Sequence, residues 1–251
     1  MAKIRADQLM VELQLCESRS QAQRLIMAGE VRLGPDQLVH KPGQLLPEDT
    51  NLLLDHEPKY VSRGAFKLLA AVEKYQPVLQ GVTALDLGAS TGGFTEVLLK
   101  YGAAKVYAVD VGYGQLHDKL RRNPQVVVLE RTNARELTSA LIPEPIGILT
   151  GDVSFISLTK VLPPCVPLLL PDAWIFVLVK PQFEAGREEV GSGGVVRDEA
   201  VRQRCVQKIQ SFALQELHWS CLGVVPSPIK GPKGNQEYIT VFRNSPSAAK
   251  A

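Results

Sequence analysis

A glycine-rich run at residues 86–94, DLGASTGGF, is the part of this 251-residue chain best suited to hold a ligand. It follows the apolar segment 82–85 and leads into a segment with helical spacing at 96–100. Glycines let the backbone approach a ligand closely, and the first turn of a helix offers unpaired N–H donors. A buried strand, a glycine turn and a helix therefore predict a nucleotide-like ligand in an open α/β sheet. The alternative is an ordinary glycine-rich turn.

Charged residues also lie where four predicted strands end. Asp86 ends the first strand, Asp152 a later one, and Lys180 follows the next. Asp110 ends the second strand, about 20 residues after the glycine run, where a carboxylate can accept hydrogen bonds from ribose hydroxyls. Each residue alone could be a surface cap. Because the carboxyl ends of parallel strands share one edge of a sheet, the four together indicate a site.

The elements that must position these residues alternate between strand and helix from residue 59 onward. The predicted helices cover 96–101, 157–166 and 198–217, and a further helix begins just before Lys67. The predicted strands cover 82–87, 105–109, 126–129, 146–150, 174–179, 222–225 and 238–242. This alternation predicts an α/β domain over 59–251 with a mostly parallel sheet and helices on both faces. We expect residues 245–251 to be frayed.

Residues 1–58 have a different pattern and predict a small α+β module with its linker. Helical spacing covers 5–15, and a second helix is expected over 19–28. Ser18 and Gln21 form a capping-box pattern at its start, and Gly29 stops it. Short strands are expected at 30–33, 37–39 and 51–54, with a turn at 34–36, and the polar segment 55–60 is expected to be the linker.

The composition is that of a folded protein without an obvious membrane or metal requirement. Hydrophobic residues make up 45% of the chain, charged residues 22%, and the net charge is +2. The four cysteines form no C-x-x-C pair and the histidines have no metal spacing, so we expect reduced thiols and no metal. The charged N-terminus is unlike a signal peptide, and no apolar run approaches the roughly 18 residues of a membrane helix. We expect a soluble, cytoplasmic protein.

The N-terminal module resembles the S4 RNA-binding domain. The residues that carry this resemblance are Arg5, Asp7, Leu9, Ser18, Arg19, Ser20, Ala22, Ile26, Gly29 and Val31. The resemblance implies that Arg5, Arg19 and Arg24 contact RNA phosphates. Residues 1–50 contain six basic and seven acidic side chains, so we expect modest affinity and a shallow salt dependence. A solvated helix face with ordinary arginines is the alternative.

The glycine run resembles the S-adenosylmethionine loop of methyltransferases. It is not the dinucleotide pattern G-x-G-x-x-G, and no Lys-Ser/Thr pair follows it as in a phosphate loop. The resemblance implies S-adenosylmethionine as the cofactor. The cofactor-binding candidates are Asp86, Gly88, Ser90, Thr91, Gly92, Gly93, Phe94, Asp110, Asn133 and Asp152. For Asn133, contact with the adenine and a plain helix cap are both open.

Four further residues match the K-D-K-E tetrad of the RrmJ/FtsJ-like RNA 2′-O-methyltransferases: Lys67, Asp152, Lys180 and Glu237. With the S4-like module in front, the chain resembles the TlyA (hemolysin A) family from about Arg5 to Arg243. The resemblance implies a Rossmann-like class I methyltransferase fold with a seven-stranded sheet. It also implies methyl transfer to the ribose 2′-OH of cytidine in ribosomal RNA, free or in assembled subunits. Lys180 is the candidate that takes the hydroxyl proton or only steers it.

Two basic, glycine-rich loops are candidates for contact with RNA. One is Gly191–Gly194 with Arg197, and the other covers 227–234 with Lys230 and Lys233. Arg63 is a further RNA-binding candidate; the alternative for both loops is a plain surface loop. Two rival functions are a membrane-active cytolysin, which needs an amphipathic or membrane-length segment, and a non-catalytic RNA-binding factor, against which the complete tetrad argues.

Overall fold

The computed structural model describes residues 3–16, 18–34, 37–54, 60–231 and 233–244. Contacts along the chain divide it into two compact units, residues 1–63 and 64–251. The boundary predicted after residue 58 stays a prediction, because residues 55–59 of the expected linker lie outside the described residues. The same is true of residues 35–36 in the expected turn and of the expected frayed end at 245–251.

The described part of the first unit contains two helices and five short strands. In chain order these are β1 (Lys3–Arg5), α1 (Ala6–Glu12), α2 (Arg19–Ala28), β2 (Val31–Gly34), β3 (Gln37–Leu38), β4 (Leu45–Pro47) and β5 (Leu53–Leu54). The strands form two small antiparallel sheets, β1–β4 and β3–β2–β5. The expectation of a small α+β module is confirmed.

Helix α2 has the ends that the sequence predicts. The Ser18 hydroxyl accepts a hydrogen bond from the Gln21 backbone N–H at 3.3 Å, which satisfies one unpaired donor of the first turn. Gly29 ends the helix in the left-handed conformation, with φ of 73°. Ala22 and Ile26, one turn apart, are buried in the core of this unit.

Strands β1 and β4 are missing from the sequence-based prediction. Each has only three residues, which is too short for an alternating pattern to stand out. Because Arg5 belongs to β1 and the backbone turns at Gln14 with φ of 57°, α1 is shorter than the predicted 5–15.

The second unit is an α/β domain built on one sheet. Its elements are α3 (Ala65–Tyr75), β6 (Thr83–Leu87), α4 (Gly93–Lys100), β7 (Lys105–Val109), α5 (Asp118–Arg121), β8 (Val126–Leu129), β9 (Ile146–Gly151), α6 (Leu158–Val161), β10 (Leu169–Val179), α7 (Pro181–Glu184), α8 (Glu199–Glu216), β11 (Trp219–Pro226) and β12 (Tyr238–Asn244). Short 3-10 helices cover Ala134–Glu136, Pro163–Leu168 and Arg187–Glu189.

The sheet of this unit has seven strands in the order β11-β12-β10-β9-β6-β7-β8. The pairs from β10 to β8 are parallel, whereas β12 is antiparallel to both of its neighbours. Buried Leu, Ile and Val side chains fill the central strands, as expected for a sheet covered on both faces. The predicted fold class, a Rossmann-like sheet preceded in the chain by a small α+β module, is confirmed.

Two elements differ from the prediction because prolines and turns interrupt the hydrophobic pattern. Strand β10 begins at Leu169, earlier than the predicted 174. Its first part does not show a strand pattern in the sequence, because the register against β9 shifts before Trp174 and the backbone at Asp172 is left-handed, with φ of 58°. The predicted helix at 157–166 is two helices, since α6 ends at Val161 and a 3-10 helix begins at Pro163. Proline lacks the backbone donor that a continuing α-helix needs.

Candidate active site

The strand order places a crevice between β6 and β9. The chain runs from β6 outward to β7 and β8 and then returns to β9 on the opposite side of β6. In open α/β sheets, ligands bind outside the carboxyl ends of the strands at such a reversal. The glycine run follows β6 and Asp152 follows β9, and the two ends are joined by the Asp152 N–H, which donates to the Leu87 carbonyl at 2.9 Å.

The glycine run needs its glycines at two positions. Gly88 has φ of 75°, and a Cβ atom there would lie 2.7 Å from the backbone oxygen of Asp152. Gly92 has φ of 97°, and a Cβ atom there would collide with the Leu120 side chain. Ser90 between them is also left-handed, with φ of 48°. The turn therefore packs closely on the backbone after β9 and ends directly at the first residue of α4.

Asp110 fastens the glycine run to the end of β7. Its Oδ2 accepts a hydrogen bond from the Ser90 N–H at 2.8 Å, and its Oδ1 accepts one from the Gly112 N–H at 2.7 Å. A carboxylate has about four acceptor positions, so both oxygens can accept further bonds from a ligand. Val111 and Tyr113, 73% and 69% exposed, lie next to it in the chain and add apolar surface at this edge of the sheet.

Asp86, the first residue of the glycine run, lies beneath the turn and is fully buried. Its two carboxylate oxygens accept hydrogen bonds from the hydroxyls of Thr95 in α4 and Thr150 in β9, at 2.7 and 2.9 Å. Burial raises the pKa of Asp86 to about 6, and the two threonine hydrogen bonds oppose that rise. The carboxylate thus joins three elements of the site.

The other candidates for cofactor contact occupy different positions. Thr91 is half-buried, whereas Gly93 and Phe94 are buried in the first turn of α4. Asn133 caps a 3-10 helix, since its Oδ1 accepts a hydrogen bond from the Arg135 N–H at 3.1 Å. This is the cap that the sequence left open as an alternative. Direct contact of these residues with a cofactor stays a prediction.

The four tetrad residues, far apart in the chain, meet beside this crevice. Lys67 Nζ lies 2.7 Å from Glu237 Oε2 and 3.6 Å from Asp152 Oδ2. Lys180 Nζ lies 2.5 Å from Asp152 Oδ1 and donates a hydrogen bond to the Ser154 hydroxyl at 2.7 Å. The side chains form a chain of alternating charge from Glu237 through Lys67 and Asp152 to Lys180.

The charges in this cluster are buried but balanced. The exposed fractions of the side chains are 9% for Lys67, 10% for Lys180, 21% for Asp152 and 1% for Glu237. An isolated buried charge is costly, whereas two ammonium groups and two carboxylates in contact compensate one another. Asp152 is the most accessible of the four. The arrangement can hold an ammonium group at a fixed position facing the crevice.

Glu237 is held by a loop that follows β11. A Cβ atom at Gly231 would lie 2.5 Å from the Glu237 carboxylate, so the loop backbone packs directly on that group. Asn235 joins this loop to the turn at 191–197: its Nδ2 donates to the Gly194 carbonyl at 2.8 Å, and its Oδ1 accepts from the Val196 N–H at 2.9 Å. The two basic loops of the sequence analysis are therefore connected.

Comparison with known proteins agrees with this geometry. The family model described as FtsJ-like methyltransferase matches residues 60–244, and the S4 domain model matches residues 4–37. The chain belongs to the FtsJ-like methyltransferase family. The resemblance given by the glycine run and the tetrad is thus confirmed at the level of the family.

Relatives of this FtsJ-like methyltransferase cover most of its length. It is 49% identical to the 16S/23S rRNA (cytidine-2′-O)-methyltransferase TlyA of Mycobacterium tuberculosis, over 98% of this chain and 92% of that protein. It is 38% identical to the 23S rRNA (cytidine-2′-O)-methyltransferase TlyA of Campylobacter jejuni, over 73% and 70%. A solved structure from Streptococcus thermophilus, which carries a provisional hemolysin name, superposes with a TM-score of 0.76 at 38% identity, over 98% and 90%.

The predicted RNA contacts of the methyltransferase unit lie on the two connected loops. Arg197, Lys230 and Lys233 are all exposed there. The Lys233 ammonium of one loop lies beside Gly194 of the other, so the two loops are in contact at a positively charged side chain. Contact of these side chains with RNA stays a prediction.

The predicted RNA contacts of the first unit are organised by a buried carboxylate. Asp7 is fully buried and accepts hydrogen bonds from the guanidinium groups of Arg5, at 2.9 and 2.8 Å, and of Arg19, at 3.3 Å. The Arg5 guanidinium holds the pKa of Asp7 well below its usual range. Arg24 and Arg63 are exposed. Asp7 therefore fixes two arginines of this unit in place, which the sequence alone did not reveal.

Phe155 is a residue of the active-site edge that sequence reasoning missed. It lies three residues after Asp152, is 90% exposed, and has φ of 64°. Its ring centroid is 5.1 Å from that of Phe183, and the Lys180 ammonium lies 6.0 Å from the Phe183 centroid. A lone Phe in a short loop gives no signal in the sequence, because its exposure follows from the left-handed turn.

Two further findings on the described residues concern membrane-spanning helices and metal sites. Within those ranges, no helix is long and apolar enough to cross a membrane. The same ranges contain no group of three or more His, Cys, Asp or Glu side chains placed to hold a metal ion.

Proposed function

We propose that this protein transfers the methyl group of S-adenosylmethionine to the ribose 2′-hydroxyl of a cytidine in ribosomal RNA. The observation that carries the proposal is the meeting of Lys67, Asp152, Lys180 and Glu237 beside the glycine run. The printed activities of the Mycobacterium tuberculosis and Campylobacter jejuni relatives support the reaction and its substrate. Since ribosomal RNA would be the partner, we place the protein in the cytoplasm.

The crevice fits S-adenosylmethionine. At Gly88 the backbone packs so closely on Asp152 that a side chain would collide with it, which brings the glycine turn and the end of β9 together at the edge of the sheet where a ligand would bind. Asp110 offers free acceptor positions for the two ribose hydroxyls, and Asn133 lies at the end of the third strand, where the adenine would lie. When bound, this cofactor supplies a methyl group activated by the positive charge of its sulfonium.

The tetrad would position the nucleophile and handle its proton. A ribose hydroxyl is a poor nucleophile and must lose its proton as it attacks. Lys180 lies at the end of the charge chain, where its ammonium or amine nitrogen can contact the 2′-oxygen. Lys67, Asp152 and Glu237 hold it there through ion pairs, so that oxygen and methyl group are aligned before reaction.

The exposed groups near the tetrad could bind one unstacked base of folded RNA and the phosphates beside it. The Phe155 ring offers a face on which an unstacked base can lie, since base stacking on aromatic side chains is common in RNA recognition. Arg197, Lys230 and Lys233 would contact phosphates, which fixes the register of the strand without reading its sequence. In the S4 unit, Arg5 and Arg19 would add contacts to the RNA backbone.

The proposal is tested by methyl transfer to ribosomal subunits that lack 2′-O-methylcytidine. Small and large subunits are incubated separately with the protein and tritiated cofactor, and methylated positions are mapped by primer extension at low nucleotide concentration. We expect tritium in RNA and stops at one or a few cytidines. Subunits already treated to completion serve as the control and should take up no further label. Label on protein, on a base, or on no component contradicts the proposal.

A further inference from the structure

Ser154 lies at the open end of the tetrad. Its hydroxyl oxygen is 2.7 Å from Lys180 Nζ, and Asp152 Oδ1 is 2.5 Å from the same nitrogen. Ser154 is exposed, so it lies on the solvent side of the cluster, with its hydroxyl turned to the buried Lys180 ammonium. The four tetrad residues are paired with one another, so the cluster would stay together without this hydroxyl.

Two fixed partners determine where Lys180 can point its third substituent. A lysine nitrogen has three N–H bonds when charged, or two and a lone pair when neutral. With two directions taken by Asp152 and Ser154, the third is fixed in either state. With Asp152 alone, the flexible Lys180 side chain can move its nitrogen around that one carboxylate and lose that direction. A misplacement of about 1 Å at a reacting centre can slow a reaction about a hundredfold.

We propose that Ser154 is a positioning residue that directs Lys180 toward the reacting 2′-oxygen. This inference rests on the function proposed above and deepens it. Ser154 acts through Lys180 and need not touch the cofactor, which would lie toward the glycine run.

The loop that carries Ser154 is anchored so that it can serve this purpose. Ser157 donates its hydroxyl hydrogen to Glu184 Oε2 at 2.6 Å, and the Leu158 N–H donates to Glu184 Oε1 at 2.8 Å. Glu184 is buried and belongs to α7, the helix that begins directly after Lys180. Segments 154–158 and 180–184 are therefore joined at Ser154, at the paired Phe155 and Phe183 rings, and at Glu184.

The test compares Ser154→Ala with Ser154→Thr, which keeps the hydroxyl. Methyl transfer to unmodified subunits is measured under single-turnover conditions over a range of subunit concentrations, and cofactor binding by calorimetry. We expect Ser154→Ala to lower the maximal rate about tenfold, with the half-saturating RNA concentration and the cofactor dissociation constant changed by less than about twofold. Ser154→Thr should restore most of the rate. Because residue 154 is exposed, both variants should unfold at the wild-type temperature.

Three results would overturn the role of Ser154 while leaving the proposed function standing. These are a wild-type rate in Ser154→Ala, a loss that Ser154→Thr does not restore, and a loss confined to RNA or cofactor affinity. If the wild-type protein itself transfers no methyl group to RNA, the proposed function fails, and the role of Ser154 with it.

Discussion

The two lysines of the tetrad have different surroundings. Lys67 lies between two carboxylates, Glu237 at 2.7 Å and Asp152 at 3.6 Å. Within the ranges that the structure describes, Lys180 has Asp152 as its one carboxylate partner. Lys67 is thus suited to hold the cluster together, because it bridges the two carboxylates. Lys180 has a substituent left for the substrate, which agrees with its proposed role at the 2′-oxygen.

Asp86 is expected to give the methyltransferase unit an unusual pH dependence of stability. Burial raises its pKa from 3.8 to about 6, so the folded protein binds this proton more tightly than the unfolded chain does. Its contribution to the free energy of unfolding therefore grows as pH falls from about 6 to about 4. Relative to Asp86→Asn, which has no titrating group, the wild type should gain on the order of 2–3 kcal/mol between pH 7 and pH 4.

Urea denaturation at several pH values measures this difference. Both tryptophans, Trp174 and Trp219, belong to the methyltransferase unit, so their fluorescence reports on the unit that contains Asp86. Other titrating groups cancel when the variant is subtracted from the wild type. If the difference in free energy of unfolding between the wild type and Asp86→Asn stays constant with pH, or shrinks toward pH 4, the pKa of Asp86 is not raised in the folded state.

At the scale of elements, the turn from β6 to α4 depends on a close backbone approach at Gly88. In Gly88→Ala the new methyl group would meet the Asp152 backbone oxygen at 2.7 Å, so either the turn or Asp152 must move. We expect at least a tenfold loss of cofactor affinity, about 1.4 kcal/mol, by calorimetry.

Gly81→Ala is a matched control for this substitution. Gly81 has φ of 76°, close to the 75° of Gly88, but a Cβ atom there would have no neighbour within 4 Å. The control therefore carries the same backbone strain, which lowers the free energy of unfolding by about 1 kcal/mol, without the collision. Cofactor affinity should be unchanged in Gly81→Ala, and equal losses in both variants would mean that strain rather than contact matters at Gly88.

The sequence predicted those parts of the site that follow from sheet geometry. Asp110, Asp152 and Lys180 could be placed together because the carboxyl ends of parallel strands meet at one edge of a sheet. Ser154 and Phe155 could not, because their positions depend on a left-handed turn at a non-glycine residue, which has no sequence signature. The resemblance to a known tetrad supplied Lys67 and Glu237, which lie on α3 and before β12, away from any strand end that periodicity could identify.

At the scale of the whole molecule, the chain combines a catalytic unit with a module that is not basic overall. Six basic and seven acidic residues in 1–50 leave no general attraction to RNA. The positive charge is local instead, since Asp7 fixes Arg5 and Arg19. Composition could not reveal this arrangement, because the hydrogen bonds join residues of α1 and α2 with the strand before them.

Arg24→Gln tests the contribution of this module. Arg24 is exposed on α2, so its replacement should leave the fold intact. If it contacts one phosphate, the variant should bind ribosomal RNA more weakly, and the slope of log affinity against log salt should fall by about 1. Filter binding at several salt concentrations gives this slope.

Arg204→Gln, which removes an exposed arginine from α8, is the control and should keep the wild-type slope. An unchanged slope in Arg24→Gln would favour the alternative of an ordinary solvated arginine.

The most direct test of the account is methyl transfer by Lys180→Ala, with Lys160→Ala, an exposed lysine of α6, as control. Tritium transfer to unmodified subunits and cofactor binding are measured on the same preparations. We predict that Lys180→Ala lowers the transfer rate at least about a hundredfold and leaves the cofactor dissociation constant nearly unchanged, while Lys160→Ala behaves as the wild type. Transfer at the wild-type rate in Lys180→Ala, or a parallel loss of cofactor binding, would contradict the central role given to Lys180.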